Sequence, residues 1–143
     1  MAIANTVLRS KKSQTRLKVF LWMVQSLLAA MFCAAGFMKI ATPIPELSKG
    51  MPWTGQLPEL FVRTMGVVDL AGGFGVLLPA LTRVKPNLTV VAALCCVILQ
   101  ICAAIFHLTR GELMMLPLNF VLLTLSLFVL WGRSKAVPIA SRR

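Results

Sequence analysis

The chain has 143 residues, of which 58% are hydrophobic and only 13% charged, and its mean hydropathy is +0.84. A soluble domain carries roughly a quarter charged residues, so a soluble globular protein is excluded. The formal net charge of +11 could indicate nucleic acid, but the basic N-terminal stretch has no interleaved aromatic side chains for base stacking, and we expect no nucleic-acid partner.

Four apolar runs follow one another, each about as long as the 20 residues that a helix needs to cross about 30 Å of hydrocarbon. They predict transmembrane helices at about residues 19–41, 60–81, 88–108 and 113–131. These helices form one predicted domain, residues 19–132, between a basic arm at residues 1–18 and a basic tail at residues 133–143. The predicted fold class is therefore all-α, a polytopic membrane protein with an antiparallel four-helix transmembrane bundle.

The basic residues are divided unevenly between the two ends of these helices. Eleven lie in the arm, in the turn between the second and third helices, or in the tail, against four near the other two connections. Because cytoplasmic connections carry an excess of Lys and Arg, both termini are expected to be cytoplasmic. We expect a multi-pass protein of a cell membrane, the bacterial inner membrane, with the arm lying on anionic lipid headgroups.

The proline-rich connection, the glycines of the second helix and the cysteines each indicate a further feature of the predicted bundle. Residues 42–59 contain four of the eight prolines, which rules out a continuous helix there, and Trp53 predicts that this segment folds back to the membrane interface. The second helix is rich in glycine, which permits close helix packing in lipid. The four cysteines all lie in apolar runs, and we interpret them as small apolar packing residues.

Each predicted helix carries polar and small residues at spacings of three, four or seven, which place them on one face. Asp69 lies about 9 Å deeper than Arg63, and Asn119 about 10 Å deeper than Glu112, at 1.5 Å per residue. Four helices thus bring hydrogen-bonding or ionisable groups to one level below the outer surface. These residues are Lys39, Arg63, Asp69, His107, Glu112 and Asn119.

A charge at membrane depth costs on the order of 3 kcal/mol, so such groups are either paired or used. We interpret Asp69 and His107 as candidate catalytic residues, and Lys39, Arg63, Glu112 and Asn119 as candidate ligand-binding residues. The alternative is architectural: Asp69 would pair with a cation, and the end-of-helix charges would only set depth. A metal site is not expected, because one imidazole and two scattered carboxylates lack ligand spacing.

From about residue 20 to residue 133, these features resemble the DoxX-like family of small four-helix membrane proteins. The resemblance rests on Ala35-Gly36-Phe37-Met38-Lys39, Gly50-Met51-Pro52, Gly66-Val67-Val68-Asp69-Leu70-Ala71-Gly72-Gly73, Leu77-Leu78-Pro79 with Thr82-Arg83, and His107 with Gly111-Glu112 and Asn119. Relatives usually carry Glu at the position of Asp69, so a proton relay here would have a slightly different geometry. Some relatives look like membrane subunits of sulfur-compound:quinone oxidoreductases, and others join redox or detoxification complexes.

The resemblance implies a first hypothesis, an accessory subunit of a membrane redox complex with an outer-side pocket for a quinone or similar small amphiphile. Lys39 or His107 would donate hydrogen bonds to carbonyl oxygens, and Asp69 would relay protons. No flavin, haem or iron–sulfur motif is present, so no covalently bound cofactor is expected and a partner protein would carry electrons. The second hypothesis is a non-enzymatic scaffold, assembly factor or small-molecule carrier, which could associate with a second copy of itself.

Overall fold

The computed structural model describes the backbone of residues 2–142 and the side chains of residues 11–142. The side chains of residues 1–10 in the predicted basic arm, and Arg143 in the predicted tail, lie outside this description. Within residues 2–142 there is no β-strand, and four helices found from residue 11 onward are long and apolar enough to cross a membrane. The prediction of an all-α membrane protein with four spanning helices is confirmed.

Five α-helices form the described chain. They are α1 (Ala2–Ala41), α2 (Ile44–Gly50), α3 (Glu59–Thr82), α4 (Asn87–Thr109) and α5 (Leu116–Trp131). α1 begins well before the predicted residue 19, because residues 2–35 contain neither Gly nor Pro to interrupt a helix that is already formed. A short π-helix, Gly132–Ala136, prolongs α5 by more than one turn.

The four spanning helices form a closed ring, in which α1 and α4 each pack against both α3 and α5. Between α1 and α3, Gln25 bonds to Val76 near one end and Lys39 to Asp69 near the other. Residue numbers therefore rise along α1 as they fall along α3, as in an antiparallel pair. The core between the helices is apolar, and many of the exposed side chains are also large and apolar, as expected of a surface against lipid.

Glycine makes the contact between α1 and α3 unusually close. A Cβ atom built on Gly36 would lie 2.6 Å from the carbonyl oxygen of Gly66, and one built on Gly66 would lie 2.9 Å from the carbonyl oxygen of Gly36. The two backbones thus touch where any side chain would separate them. This is how small residues hold helices together in a bilayer, where packing replaces the hydrophobic effect.

The proline-rich connection folds over one end of the bundle, as a short helix α2 followed by a 3₁₀ turn at Pro52–Gly55. Trp53 is buried there with Leu47 and Val62, and its ring meets the ring of Phe106 edge-on with centroids 6.0 Å apart. We call this end of the bundle the His107 end. The opposite end, which carries the turn from α3 to α4 and the end of α5, is the Arg133 end.

Candidate functional site

A cavity of about 340 Å³ lies between the four long helices at the His107 end. Its wall is mostly apolar and carries a few polar side chains. The lining residues are Phe32, Ala35, Lys39, Met51, Trp53, Phe61, Met65, Asp69, Leu99, Gln100, Cys102, Ala103, Phe106, His107, Met115, Leu118, Asn119 and Leu122. A concave apolar site with a few convergent polar groups is the usual form of a small-molecule pocket.

The cavity extends to the outer surface of the bundle. Phe61 and Leu118 line it, yet their side chains are 43% and 48% exposed, and Cys102 is likewise an exposed lining residue. All three belong to membrane-spanning helices, so their exposed faces lie against lipid.

Lys39 and Asp69 form a buried ion pair in the cavity wall. Lys39 Nζ donates to Asp69 Oδ2 at 2.5 Å, and the two side chains are only 14% and 9% exposed. The same ammonium group lies 5.8 Å from the centre of the Trp53 ring, within range of a cation–π interaction. The pair joins the last turn of α1 to the middle of α3 and neutralises both charges.

Arg63 lies next to this pair but is not among the residues that line the cavity. Its Nη1 donates to the carbonyl oxygens of Lys39 at 2.6 Å and Thr42 at 2.8 Å, while Nε and Nη2 donate to Glu59. The final carbonyls of a helix have no partner within the helix. Arg63 thus caps the carboxyl end of α1, which the sequence did not reveal.

His107 and Glu112 form a second polar group, on α4 and the turn that follows it. His107 Nδ1 lies 2.7 Å from Glu112 Oε2, and Arg110 Nε donates to Glu112 Oε1 at 3.1 Å. Arg110 also donates to Gln56 in the connection that covers this end. Gly111 has a φ of +71°, a conformation that glycine adopts at little cost, and this reverses the chain so that Glu112 returns to His107.

Two buried amides complete the polar part of the wall. Gln100 on α4 is 5% exposed and Asn119 on α5 is 8% exposed, and both line the cavity. Within residues 11–142, Gln100 Oε1 and Asn119 Nδ2 have no hydrogen-bond partner. Gln100 precedes His107 by seven residues in the third predicted helix and so shares its face, but it was not among the six predicted site residues.

The structure therefore brings four of the six predicted site residues to the cavity wall: Lys39, Asp69, His107 and Asn119. Arg63 and Glu112 support their neighbours from just outside it. Within the part of the chain that the structure describes, no three His, Cys, Asp or Glu side chains come close enough to hold a metal ion. Of the four cysteines, Cys96 is buried and Cys33 half-buried, whereas Cys95 and Cys102 are exposed.

A separate polar contact at the Arg133 end was not predicted. Arg133 is only 3% exposed, and its Nε donates to Gln25 Oε1 at 2.7 Å. Gln25 Nε2 in turn donates to the carbonyl oxygen of Val76 at 2.8 Å, and the guanidinium lies 4.7 Å from the centre of the Trp22 ring. The sequence placed Arg133 in a basic tail, but it joins α1, α3 and the end of α5.

The fold and the cavity define a class of protein, a small helical membrane protein with four spans and, at one end of the bundle, a mostly apolar pocket that carries a few polar side chains. The family model that matches the chain is described as the DoxX-like family and covers residues 23–129. The chain belongs to the DoxX-like family, and the predicted resemblance is confirmed. No curated protein and no solved structure matches it significantly.

Proposed function

We propose that this protein is an accessory subunit of a membrane redox complex, and that its cavity binds a quinone or a similar small amphiphile. The observation that carries the proposal is the cavity itself. Its volume of about 340 Å³ falls within the range of roughly 300–1,000 Å³ that is usual for small-molecule pockets. Its apolar wall suits a ring, and its exposure toward lipid suits a ligand that partitions into the bilayer.

The polar groups would bind and orient the head group. Lys39 Nζ has two N–H donors beyond the one directed at Asp69, and His107 shares the same wall. Either could donate to a carbonyl oxygen, while Asp69 could accept a proton from a bound hydroxyl. Because the sequence has no flavin, haem or iron–sulfur motif, a partner protein would supply or remove electrons.

Extraction and mass spectrometry of the purified protein test this proposal. The parent, the double variant Asp69→Asn, His107→Ala and the control Glu59→Gln would be purified in mild detergent. Glu59 is a suitable control because it pairs with Arg63 outside the cavity and its side chain is 65% exposed. We expect a quinone or another defined amphiphile with the parent and the control but not with the double variant. An identical lipid background in all three would contradict the proposal.

A second candidate function is a non-enzymatic scaffold, assembly factor or small-molecule carrier. It is favoured by the ion pair of Lys39 with Asp69, which joins α1 to α3, and by the local contacts of Arg63 with Glu59 and of Glu112 with Arg110 and His107. Contacts of this kind can stabilise the bundle without any role in ligand binding. This candidate predicts that the double variant loses stability while no bound amphiphile is lost, because none was present.

The proposed orientation places the Arg133 end in the cytoplasm of a bacterial cell, on the strength of its excess of basic residues. Single cysteines at Gly50→Cys and Ser141→Cys, in a chain without its four native cysteines, would be treated with a membrane-impermeant maleimide. Gly50→Cys should react in intact spheroplasts, and Ser141→Cys only after lysis. The reverse pattern would overturn the orientation without affecting the proposed pocket.

A further inference from the structure

The chain that follows α5 encloses a groove at the Arg133 end, on the far side of the bundle from the cavity. It runs from the π-helix back to the turn between α3 and α4, where the backbone N–H of Arg142 donates to the carbonyl oxygen of Arg83 at 3.0 Å. Arg83 ends α3, so this bond holds the tail against the turn. An open space of about 440 Å³ remains between the tail and the first turns of α4. We call it the tail groove.

The lining of the tail groove changes from polar to apolar along α4. Lys85, Asn87 and Ser141 supply an ammonium, an amide and a hydroxyl group, and Leu88 and Val91 are among the apolar lining residues. The last two are 50% and 54% exposed on a helix that can span a membrane, so they face lipid. Val91 lies about 6 Å deeper than Asn87 at 1.5 Å per residue. The groove thus follows the same polar-to-apolar order as a phospholipid.

The basic side chains around the tail groove have no acidic side chain beside them. The four acidic residues of the chain are Glu46, Glu59, Asp69 and Glu112. The first two belong to α2 and to the start of α3, and the other two to the polar contacts at the His107 end. None of the ion pairs within residues 11–142 includes Arg83, Lys85 or Arg142. This surface is therefore complementary to an anion from outside the chain.

We propose that the tail groove binds an anionic phospholipid, with its phosphate beside Lys85 and the start of an acyl chain against Leu88 and Val91. The ammonium group pairs with the phosphate, and the Asn87 amide and the Ser141 hydroxyl donate hydrogen bonds to its oxygens. The lipid-facing apolar wall favours a lipid over a free phosphate ion. Phosphatidylcholine binds less tightly, because its own cation balances its phosphate. The groove lies at the opposite end from the cavity, so this inference does not depend on the proposed function.

Native mass spectrometry of the full-length protein, released from detergent micelles, tests the proposal. Titrations with dioleoylphosphatidylglycerol and dioleoylphosphatidylcholine give the Kd of each lipid. One basic residue near a membrane surface contributes about 1 kcal/mol to the attraction for anionic lipid, which corresponds to about a fivefold change in Kd. The parent should therefore bind phosphatidylglycerol at least about fivefold more tightly than phosphatidylcholine, and Lys85→Gln should reduce this preference about fivefold.

Lys135→Gln is the matched control. It removes the same charge from the same end of the bundle, but Lys135 belongs to the π-helix and does not line the tail groove. Its preference for phosphatidylglycerol should equal that of the parent. Both lysine side chains are exposed, so both variants should melt at the temperature of the parent. An equal loss of preference in the two variants would show a general attraction to basic charge without a built site, and would overturn the proposal.

A second pair of variants tests the groove by adding charge. Ser141→Glu places a carboxylate among the lining residues and should abolish the preference for phosphatidylglycerol. Ser134→Glu adds the same charge at an exposed position that does not line the groove, and should retain most of the preference. Equal effects of the two changes would contradict the proposed site.

Competition identifies the source of the phosphate. An excess of inorganic phosphate, at constant ionic strength, should not displace phosphatidylglycerol, because the free ion makes no contact with the apolar wall. Displacement would show that the groove takes a free anion and would overturn the assignment to a lipid. Equal Kd values of the two lipids for the parent would overturn it as well. Neither result bears on the cavity, whose ligand is tested separately by extraction of the purified protein.

Discussion

Replacement of Asp69 by Asn would leave Lys39 as a buried charge without a counter-ion. The two side chains meet at 2.5 Å and are 14% and 9% exposed, so the relevant magnitude is that of a buried pair. Removing one partner of such a pair destabilises by about 3–5 kcal/mol, against about 0.2–1 kcal/mol for an exposed pair. Since Asn retains an oxygen that can accept from Lys39, we expect the lower end, about 3 kcal/mol.

The free energy of unfolding would be measured by reversible denaturation in mixed micelles. The double variant Lys39→Met, Asp69→Leu removes both charges. It should be as stable as the parent or more stable, because the cost of desolvating two ions is removed together with their attraction. Glu59→Gln breaks the exposed pair with Arg63 on the same helix and should change stability by less than about 1 kcal/mol. If Asp69→Asn lowered stability no more than Glu59→Gln does, the buried-pair reasoning would be refuted.

Two further predictions concern helix packing. Gln25→Leu removes the partner of the buried Arg133 Nε and should lower the free energy of unfolding by about 1.5–3 kcal/mol; a loss below about 0.5 kcal/mol would show that the guanidinium finds water or lipid phosphate instead. Gly36→Ala places a Cβ 2.6 Å from backbone of α3 and should destabilise by about 1–3 kcal/mol. Gly50→Ala is its control, because a Cβ atom built on Gly50 would have no atom within 4 Å. This variant should have the melting temperature of the parent or a slightly higher one.

The spans were predictable because the bilayer imposes a strong local requirement on the sequence. A chain in hydrocarbon must form its backbone hydrogen bonds within each helix, and the helix must be apolar across the whole thickness of the hydrocarbon. Hydropathy measures this apolar character directly. The start of α1 follows a different rule. Residues 2–18 are rich in basic and other polar side chains, but polarity alone does not end a helix where Gly and Pro are absent, so the helix extends beyond the apolar segment.

The site was predictable in part, because helical spacing reports which residues share a face. Lys39, Asp69, His107 and Asn119 were expected at one level, and all four line one cavity. Spacing does not report which polar group pairs with which. The bonds of Arg63 to the carbonyl oxygen of Thr42, 21 residues away in sequence, depend on how the connection folds over the helix ends.

The contact between Gln25 and Arg133 shows the same limit over a longer distance. Its partners are 108 residues apart, and charge counting assigned the arginine to the basic tail. A long Arg side chain at the end of a span ordinarily extends to the interface. Here it turns inward because Gln25 offers an acceptor and Trp22 offers an aromatic face, and both contacts exist only after α1 and α5 have packed together.

The polar groups of the cavity wall differ in how much of the bundle each one connects. The ion pair of Lys39 with Asp69 joins α1 to α3, whereas the contact of His107 with Glu112 joins the end of α4 only to the turn that follows it. Loss of the first contact should therefore loosen the packing of two helices, and loss of the second should affect mainly the turn. Stability measurements on Asp69→Asn and His107→Ala as single variants would separate these structural effects from any effect on ligand binding, with the larger loss expected for Asp69→Asn because its buried pair joins two helices.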